Sequence, residues 1–256
     1  MAISVRPGQW FLVNASPDLA AQINFFPELH PSPDSTRNSP IAGVFLTNAD
    51  LDHVLGLFAL REGGRLDIVA PKAIQQPLAG PLGLNTVLDS FCGVTWHEPQ
   101  STFSSGEESN LRYRAIALPG GPPLYASNLK DGPHSVAYQF LDTTAGGKLL
   151  VAPDVAAVNP ELLAALKDSD AILFDGTFWS NDDLAKVRPG TRTPEQMGHV
   201  TIKDGSLDLL VKLPAKRKIY THINNTNSIL SPQSPERAAV EAAGITVGQD
   251  GIEFEL

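Results

Sequence analysis

Apolar positions along the chain fall in short runs, each bounded by turn-forming residues. Runs rich in Val, Ile, Leu, Phe or Tyr predict strands over 9–14, 41–47, 66–70, 111–118, 135–141, 148–152, 171–175, 218–222 and 252–256. Helix signals fall between them. Ser16-Pro17-Asp18 opens one helix, with Ser16 as N-cap and Pro17 at the first helical position. Asp50 or Asp52 opens a second through Val54, Leu55, Phe58 and Leu60, which Gly63-Gly64 closes. Asn159-Pro160-Glu161 opens a third, and Ser234-Pro235-Glu236 opens a fourth that ends at Gly244. Alternating strands and helices predict a layered α/β fold with helices covering sheets. The tight turn expected over 143–147 joins two strands as a hairpin, so antiparallel pairs are mixed with parallel ones.

Composition narrows the class. The chain has 256 residues, 42% of them hydrophobic and 18% charged, which supports a buried core and excludes disorder or coiled coil as a description of the whole. Acidic residues exceed basic ones by 28 − 19 = 9, which disfavours nucleic acid as a partner. The only cysteine, Cys92, excludes an internal disulfide and a zinc site built from several cysteines of these 256 residues. Its apolar neighbours Phe91 and Val94 give it a packing role. No apolar run approaches membrane-spanning length, and the start lacks the apolar core of a signal peptide, so a cytoplasmic protein with no membrane partner is expected. The sequence has no internal repeat, no glycine-rich phosphate loop after the first strand and no G-x-S-x-G nucleophile elbow.

Residues able to carry chemistry gather where apolar runs end. In Phe45-Leu46-Thr47-Asn48-Ala49-Asp50-Leu51-Asp52-His53 a strand gives way to a helix, and the adjacent Asp52 and His53 suit Fe(II), Mn(II) or Zn(II). On this segment alone, helix capping by Asp50 or Asp52 with a packed His53 is an equal reading. A second run, 217–221, ends at His222 and continues as Ile223-Asn224-Asn225-Thr226-Asn227. There Asn224, Asn225 and Thr226 offer hydrogen bonds to a ligand histidine or to substrate, or form an asparagine-rich turn. Asp154 and Asp175 also close apolar runs, and His199 follows Met197-Gly198 just before an expected helix. The order acid–His, Asp, Asp, His, His, each at a strand end or helix start, is where α/β sites are built. His30, His97 and His134 fall outside this pattern: exposed loop, strand end, and a residue that could approach a central site.

These residues also carry a resemblance. Residues 47–56 resemble the H-x-H-x-D-H-x-x-G loop of the metallo-β-lactamase superfamily. Asp52, His53 and Gly56 match it, and Asn48 and Asp50 stand where its first two histidines would be. More specifically, Asn14-Ala15-Ser16-Pro17-Asp18, residues 47–53 with 60–63, Asp175-Gly176-Thr177-Phe178-Trp179, residues 190–193 with 197–199, and His222-Ile223-Asn224-Asn225-Thr226-Asn227 with 234–237 resemble the coenzyme PQQ (pyrroloquinoline quinone) biosynthesis protein B family, in family order.

The resemblance implies a single metallo-β-lactamase-like domain over 1–256, a four-layer αββα sandwich with a metal site at one sheet edge. It implies Asp52, His53 and His222 as ligands, the facial arrangement of non-haem Fe(II) oxygenases rather than a dizinc hydrolase. Fe(II) is the expected metal, with Zn or Mn as alternatives. The implied reaction is hydroxylation, with dioxygen, of a small peptide or amino-acid-derived tyrosine precursor of PQQ. His199 would orient substrate or carry a proton, Asp175 would hydrogen-bond a ligand histidine or cap a helix or turn, and Arg192 would clamp a substrate carboxylate or form a surface ion pair. The alternatives are a carrier that moves PQQ or its precursor to the periplasm, and a hydrolase of metallo-β-lactamase type. Self-association as a homodimer is left open. Two departures from the family stand out. Its N-terminal strand and Cys-rich zinc segment are expected to be missing. Asp154 and Asp50 stand where glycine and glutamine are usual, and these carboxylates could rebuild a second metal position.

Overall fold

The computed structural model describes residues 1–33, 38–105 and 110–256. They form two compact units, one of residues 1–100 and 121–135 and the other of residues 101–105, 111–120 and 136–256. No helix among the described residues is long and apolar enough to cross a membrane.

The first unit is built on a five-stranded sheet in chain order: β1 (Ala2–Arg6), β2 (Gln9–Val13), β3 (Ile41–Phe45), β4 (Leu66–Val69) and β5 (Val94–His97). β1 runs antiparallel to β2, and β2 to β5 run parallel. Parallel neighbours need a crossover. Leu19–Phe25 supplies it after β2, Leu51–Val54 with the 3-10 segment Leu55–Glu62 after β3, and Lys72–Ala79 with Leu84–Leu88 after β4. Val44, Leu46, Val54, Leu57, Ile68 and Ile74 fill the core with no exposure to water. The parallel set places the residues that follow β2 and β3 along one edge of the sheet.

Gly56 fixes how the β3 crossover sits. The Gly56 N–H donates to Ala15 O at 2.9 Å, and the Ala15 N–H donates to His53 O at 2.7 Å. A Cβ at position 56 would lie 2.1 Å from Ser16 O and 2.8 Å from the Leu19 side chain. The glycine three residues after His53 is therefore what lets that turn lie on the Asn14–Ser16 backbone. Tyr125 adds a tie from the 121–135 segment, its hydroxyl donating to Ala49 O at 2.7 Å.

The second unit is built on a seven-stranded sheet of order β12-β11-β10-β9-β8-β7-β6. Its strands are β6 (Ser104–Ser105), β7 (Leu111–Leu118), β8 (Ser135–Asp142), β9 (Lys148–Ala152), β10 (Ala171–Asp175), β11 (Arg217–Thr221) and β12 (Thr246–Val247). β8 and β9 form the expected antiparallel hairpin. At its turn the Thr144 N–H donates to the Asp142 carboxylate at 2.7 Å, and Gly146 takes a left-handed φ of +79°. β9 to β12 run parallel. Helices Pro160–Lys167 and Pro235–Ala242 start at the predicted caps: Asn159 accepts from the Leu162 N–H at 2.8 Å and Ser234 from the Arg237 N–H at 3.0 Å. Every residue of β10 is buried, as befits a strand covered on both faces. Leu150, Ile172, Phe174 and Tyr220 anchor this core at full burial.

The elements depart from the sequence reading in places. Residues 252–256 form no strand. β12 takes the sheet edge through Tyr220↔Val247 pairing, and Phe254 packs under the Arg217 guanidinium, 5.2 Å from its ring centre. The residues before Gln9, with no predicted element, form β1. Lys72–Ala79 is helical despite Pro77 inside it, because Ile74 and Leu78 bury fully. The first helix is capped at Asp18, while Ser16 contributes its backbone carbonyl to the Leu19 N–H at 3.0 Å.

Gly56→Ala should lower unfolding free energy by about 2–3 kcal/mol, because the contact is with backbone that cannot swing aside. Gly64→Ala, with nothing within 4 Å of the added methyl, should stay within about 0.5 kcal/mol of wild type. Urea titration reads both, and equal stability of the two variants would refute the packing role of Gly56.

Burial, reinforced by the Asp50 charge, pushes the Tyr125 phenol up to about 12. The fold thus favours the neutral phenol. Its contribution is complete below about pH 10, where the unfolded phenol is also neutral, and is lost as pH rises from about 10 to about 12. Tyr125→Phe should remove part of the alkaline fall in stability over that window. An unchanged slope in the variant would show that Tyr125 does not contribute to it.

Candidate metal centre

The strand-end residues of the first unit are bound to one another. Asn14 follows β2 in a left-handed conformation, φ 60°, which asparagine tolerates better than most residues. Its Oδ1 accepts the Thr47 N–H at 2.9 Å, which fixes the amide so that Nδ2 points the other way. Nδ2 lies 2.9 Å from Thr47 Oγ1 and 2.6 Å from His53 Nδ1. Thr47 Oγ1 is also 3.2 Å from His53 Nδ1. The amide serves an unprotonated Nδ1, and the hydroxyl can serve a protonated one. Either way the Nδ1 edge of the ring is held and the Nε2 edge faces Asp52, whose Oδ2 lies 3.6 Å away. His53 is 3% exposed and Asp52 64%, so the carboxylate is open to water and the imidazole is buried.

Asn48 and Asp50 shape the loop that carries this pair. The buried Asn48 Oδ1 accepts the Asp50 N–H at 3.0 Å. Asp50 is exposed and occupies the N-cap position of Leu51–Val54 without a side-chain cap bond, so the capping reading of this residue fails in its side-chain form. Asp52 lies in the first turn of the same helix, where an acidic side chain complements the helix dipole.

In the second unit the ends of three adjacent parallel strands supply Asp154, Asp175 and His222. Asp175, the last residue of β10, has no exposure to water. Its Oδ1 accepts the Thr177 N–H at 2.9 Å and the Thr177 hydroxyl at 2.6 Å. Its Oδ2 accepts the Val155 N–H at 2.9 Å and meets His199 Nδ1 at 2.9 Å. Asp154 Oδ1 is 3.3 Å from the same His199 nitrogen. Thr177 Oγ1 lies 2.8 Å from His222 Nδ1. The His199 and His222 rings stack with centres 5.8 Å apart. Asp175, His199 and His222 thus offer ligand-type atoms within 4.8 Å of one another. Four polar groups thus face the two oxygens of the Asp175 carboxylate, so it orients its neighbours.

Backbone details hold this edge together. His222 leaves β11 with φ 55°, a left-handed conformation costly for a histidine. A Cβ on Gly176 would lie 2.9 Å from the Tyr220 Cβ and 3.0 Å from Thr221 O, so only glycine lets the turn after β10 close on β11. Asn227, buried, donates to Gly176 O at 2.8 Å and caps Ser228–Leu230.

The remaining predicted residues are placed as follows. Asn224 Oδ1 accepts from both the N–H and the hydroxyl of Thr226, at 3.0 and 2.9 Å, and these two shape the turn. Asn225 and Arg192 are exposed, the latter just ahead of Pro194–Met197. His97 ends β5 and pairs with Asp67 at 2.7 Å, and His30 is exposed beside the carbonyls of Ile23 and Asn24. His134 is buried, and neither ring nitrogen has a hydrogen-bond partner among the described residues. Cys92 is half-buried, and burial pushes its thiol up. Thr47, Thr177 and Tyr125 were not singled out for chemistry. Their signal was position: Thr47 and Thr177 each lie two residues past a strand end, and each meets a histidine, His53 six residues further along the same segment and His222 just past the neighbouring strand β11.

Residues 9–223 match the family model described as beta-lactamase superfamily domain. The coenzyme PQQ synthesis protein B of Ectopseudomonas mendocina is 37% identical, with 100% of this chain and 86% of that protein covered. That of Klebsiella pneumoniae strain 342 is 36% identical, over 99% and 84%. Among solved structures, the Zn(2+)-bound PqqB from Methylobacterium extorquens superposes with a TM-score of 0.87 at 35% identity, covering 100% of this chain and 86% of that one. A diphosphatase of the PhnP family, at 18% identity and a TM-score of 0.63, shares the fold. The fold is therefore the layered α/β fold of the metallo-β-lactamases, and the chain belongs to the coenzyme PQQ synthesis protein B family.

Proposed function

We propose that this chain is a metal-dependent oxygenase that hydroxylates a tyrosine-derived precursor in PQQ synthesis. The observation that carries the reading is the state of the two histidines. His53 and His222 each have the Nδ1 edge engaged by polar groups of their own unit. A metal-ligating histidine needs its ring fixed at Nδ1 with Nε2 left for the ion, a state His222 reaches through Thr177 and His53 reaches when its Nδ1 proton goes to Thr47 Oγ1. Asp52 completes the ligand set of two imidazoles and one carboxylate. The zinc carried by the Methylobacterium extorquens relative supports metal binding by the family fold. A ligand set with several open positions favours iron(II) in the working protein. When bound, iron(II) would supply the one-electron chemistry that makes dioxygen reactive toward a phenol ring.

The chain's own residues would prepare the substrate. His199, held at Nδ1 by two carboxylates, is the group to hold or move a proton at Nε2. Arg192, exposed, suits a substrate carboxylate, and Asn225 suits a polar group of a small peptide. Asp154 stands on His199 and supports that ring rather than a second metal. Asn48 and Asp50, in place of the superfamily's first two histidines, disfavour a dinuclear hydrolase. The single thiol needs no oxidising compartment, and we place the reaction in the cytoplasm.

Protein loaded anaerobically with iron(II) should consume dioxygen with tyrosine-containing dipeptides, and His222→Ala should abolish both tight iron binding and turnover. Unchanged iron uptake in His222→Ala would sink the oxygenase reading. Hydrolysis of a phosphodiester or lactone without dioxygen would favour the hydrolase. Precursor binding without turnover would favour a carrier.

A further inference from the structure

We propose that Thr177 is a positioning residue that, together with Asp175, keeps the proton of neutral His222 on Nδ1 and so presents Nε2 as the metal-binding atom. The inference rests on the metal reading above and adds residues to it. Three short contacts of one hydroxyl carry it. Asp175 Oδ1 takes the Thr177 hydroxyl at 2.6 Å, Thr177 Oγ1 meets His222 Nδ1 at 2.8 Å, and Thr177 Oγ1 lies 2.9 Å from His222 O. A hydroxyl has one proton to give. The carboxylate is the shorter and stronger acceptor, so the proton goes to Asp175. The Thr177 oxygen then faces His222 Nδ1 as an acceptor, and only a protonated Nδ1 satisfies it. The same carboxylate treats His199 likewise but directly, through Oδ2 at 2.9 Å. One buried Asp175 thus sets the tautomers of two histidines, one in contact and one through a hydroxyl.

The geometry leaves little freedom. Thr177 is 5% exposed, so water does not replace the hydroxyl at low cost. Its N–H is tied to Asp175 Oδ1, and its carbonyl accepts the Asn224 N–H at 3.2 Å. The residue is clamped between the ends of β10 and the turn after β11, with Gly176 permitting the approach. The left-handed backbone of His222 brings its own carbonyl and its ring Nδ1 onto one oxygen atom.

The test uses the full chain, metal-free and labelled with ¹⁵N-histidine, with long-range ¹H–¹⁵N correlation to read the His222 tautomer and a competing chelator to read zinc affinity. Wild type should show the proton on Nδ1. Thr177→Val keeps the shape and removes the hydroxyl. It should lose the Nδ1-protonated form and weaken zinc binding about 10- to 100-fold, whereas Thr177→Ser should keep the tautomer and stay within about 3-fold. A wild-type His222 protonated on Nε2 overturns the proposal without any variant. So does a folded Thr177→Val with the wild-type tautomer. If Thr177→Val shifts the tautomer but His222→Ala leaves zinc affinity unchanged, the positioning role stands and the metal reading fails.

Discussion

A fully buried carboxylate at the end of β10 is the constraint on which the second unit's candidate site depends. Removing a carboxylate from water costs several kcal/mol in real proteins unless its oxygens are fully hydrogen-bonded. Asp175 meets that condition with four donors: two from Thr177, one from the Val155 backbone and one from His199. Each donor is thereby fixed. The Val155 N–H places the chain just beyond Asp154, His199 is held in one ring orientation, and Thr177 is turned toward His222. Losing Asp175 would leave several buried polar groups without partners at once, so the side chain is both a requirement of the fold and an organiser of chemistry.

The first unit solves the same problem with a neutral side chain. Asn14 occupies the strand end beside β3, and its amide satisfies the Thr47 backbone with one atom and reaches His53 with the other. Gly56 then lets the His53 helix lie against the Asn14–Ser16 backbone at a distance no side chain would permit. The two histidines at strand ends are thus prepared by different means, a carboxylate acting through a hydroxyl for His222 and an amide with a hydroxyl for His53.

Departures from the superfamily loop and from the family's usual residues acquire physical roles in this setting. Asn48 serves as a loop former through its bond to the Asp50 N–H. Asp50 charges the neighbourhood of Tyr125, whose hydroxyl ties down Ala49. Asp154 gives His199 Nδ1 a second carboxylate beside Asp175. Each substituted residue is used by the fold or by a neighbouring histidine, and that chemistry differs from the ligand set of a dinuclear hydrolase.

Much of this was legible in the chain itself. Apolar runs with turn residues at their ends located most strands. Asparagine and serine before proline marked the helix starts at 160 and 235, and the 143–147 turn marked the hairpin, because these signals are local and act within a few residues. The position of Asp52, His53, Asp154, Asp175 and His222 at strand ends followed from the same runs. Which polar atom meets which did not. The order β9-β10-β11 brings Thr177 to His222 across 45 residues of sequence and His199 to Asp175 across 24. Nothing in the local pattern encodes the neighbour order of strands. Sequence alone therefore determined most of the elements, the family and the candidate residues. Only the tertiary structure decided that Asp175 reaches His199 directly and His222 through Thr177, because that choice depends on sheet order, on the close approach at Gly176 and on the left-handed turn at His222.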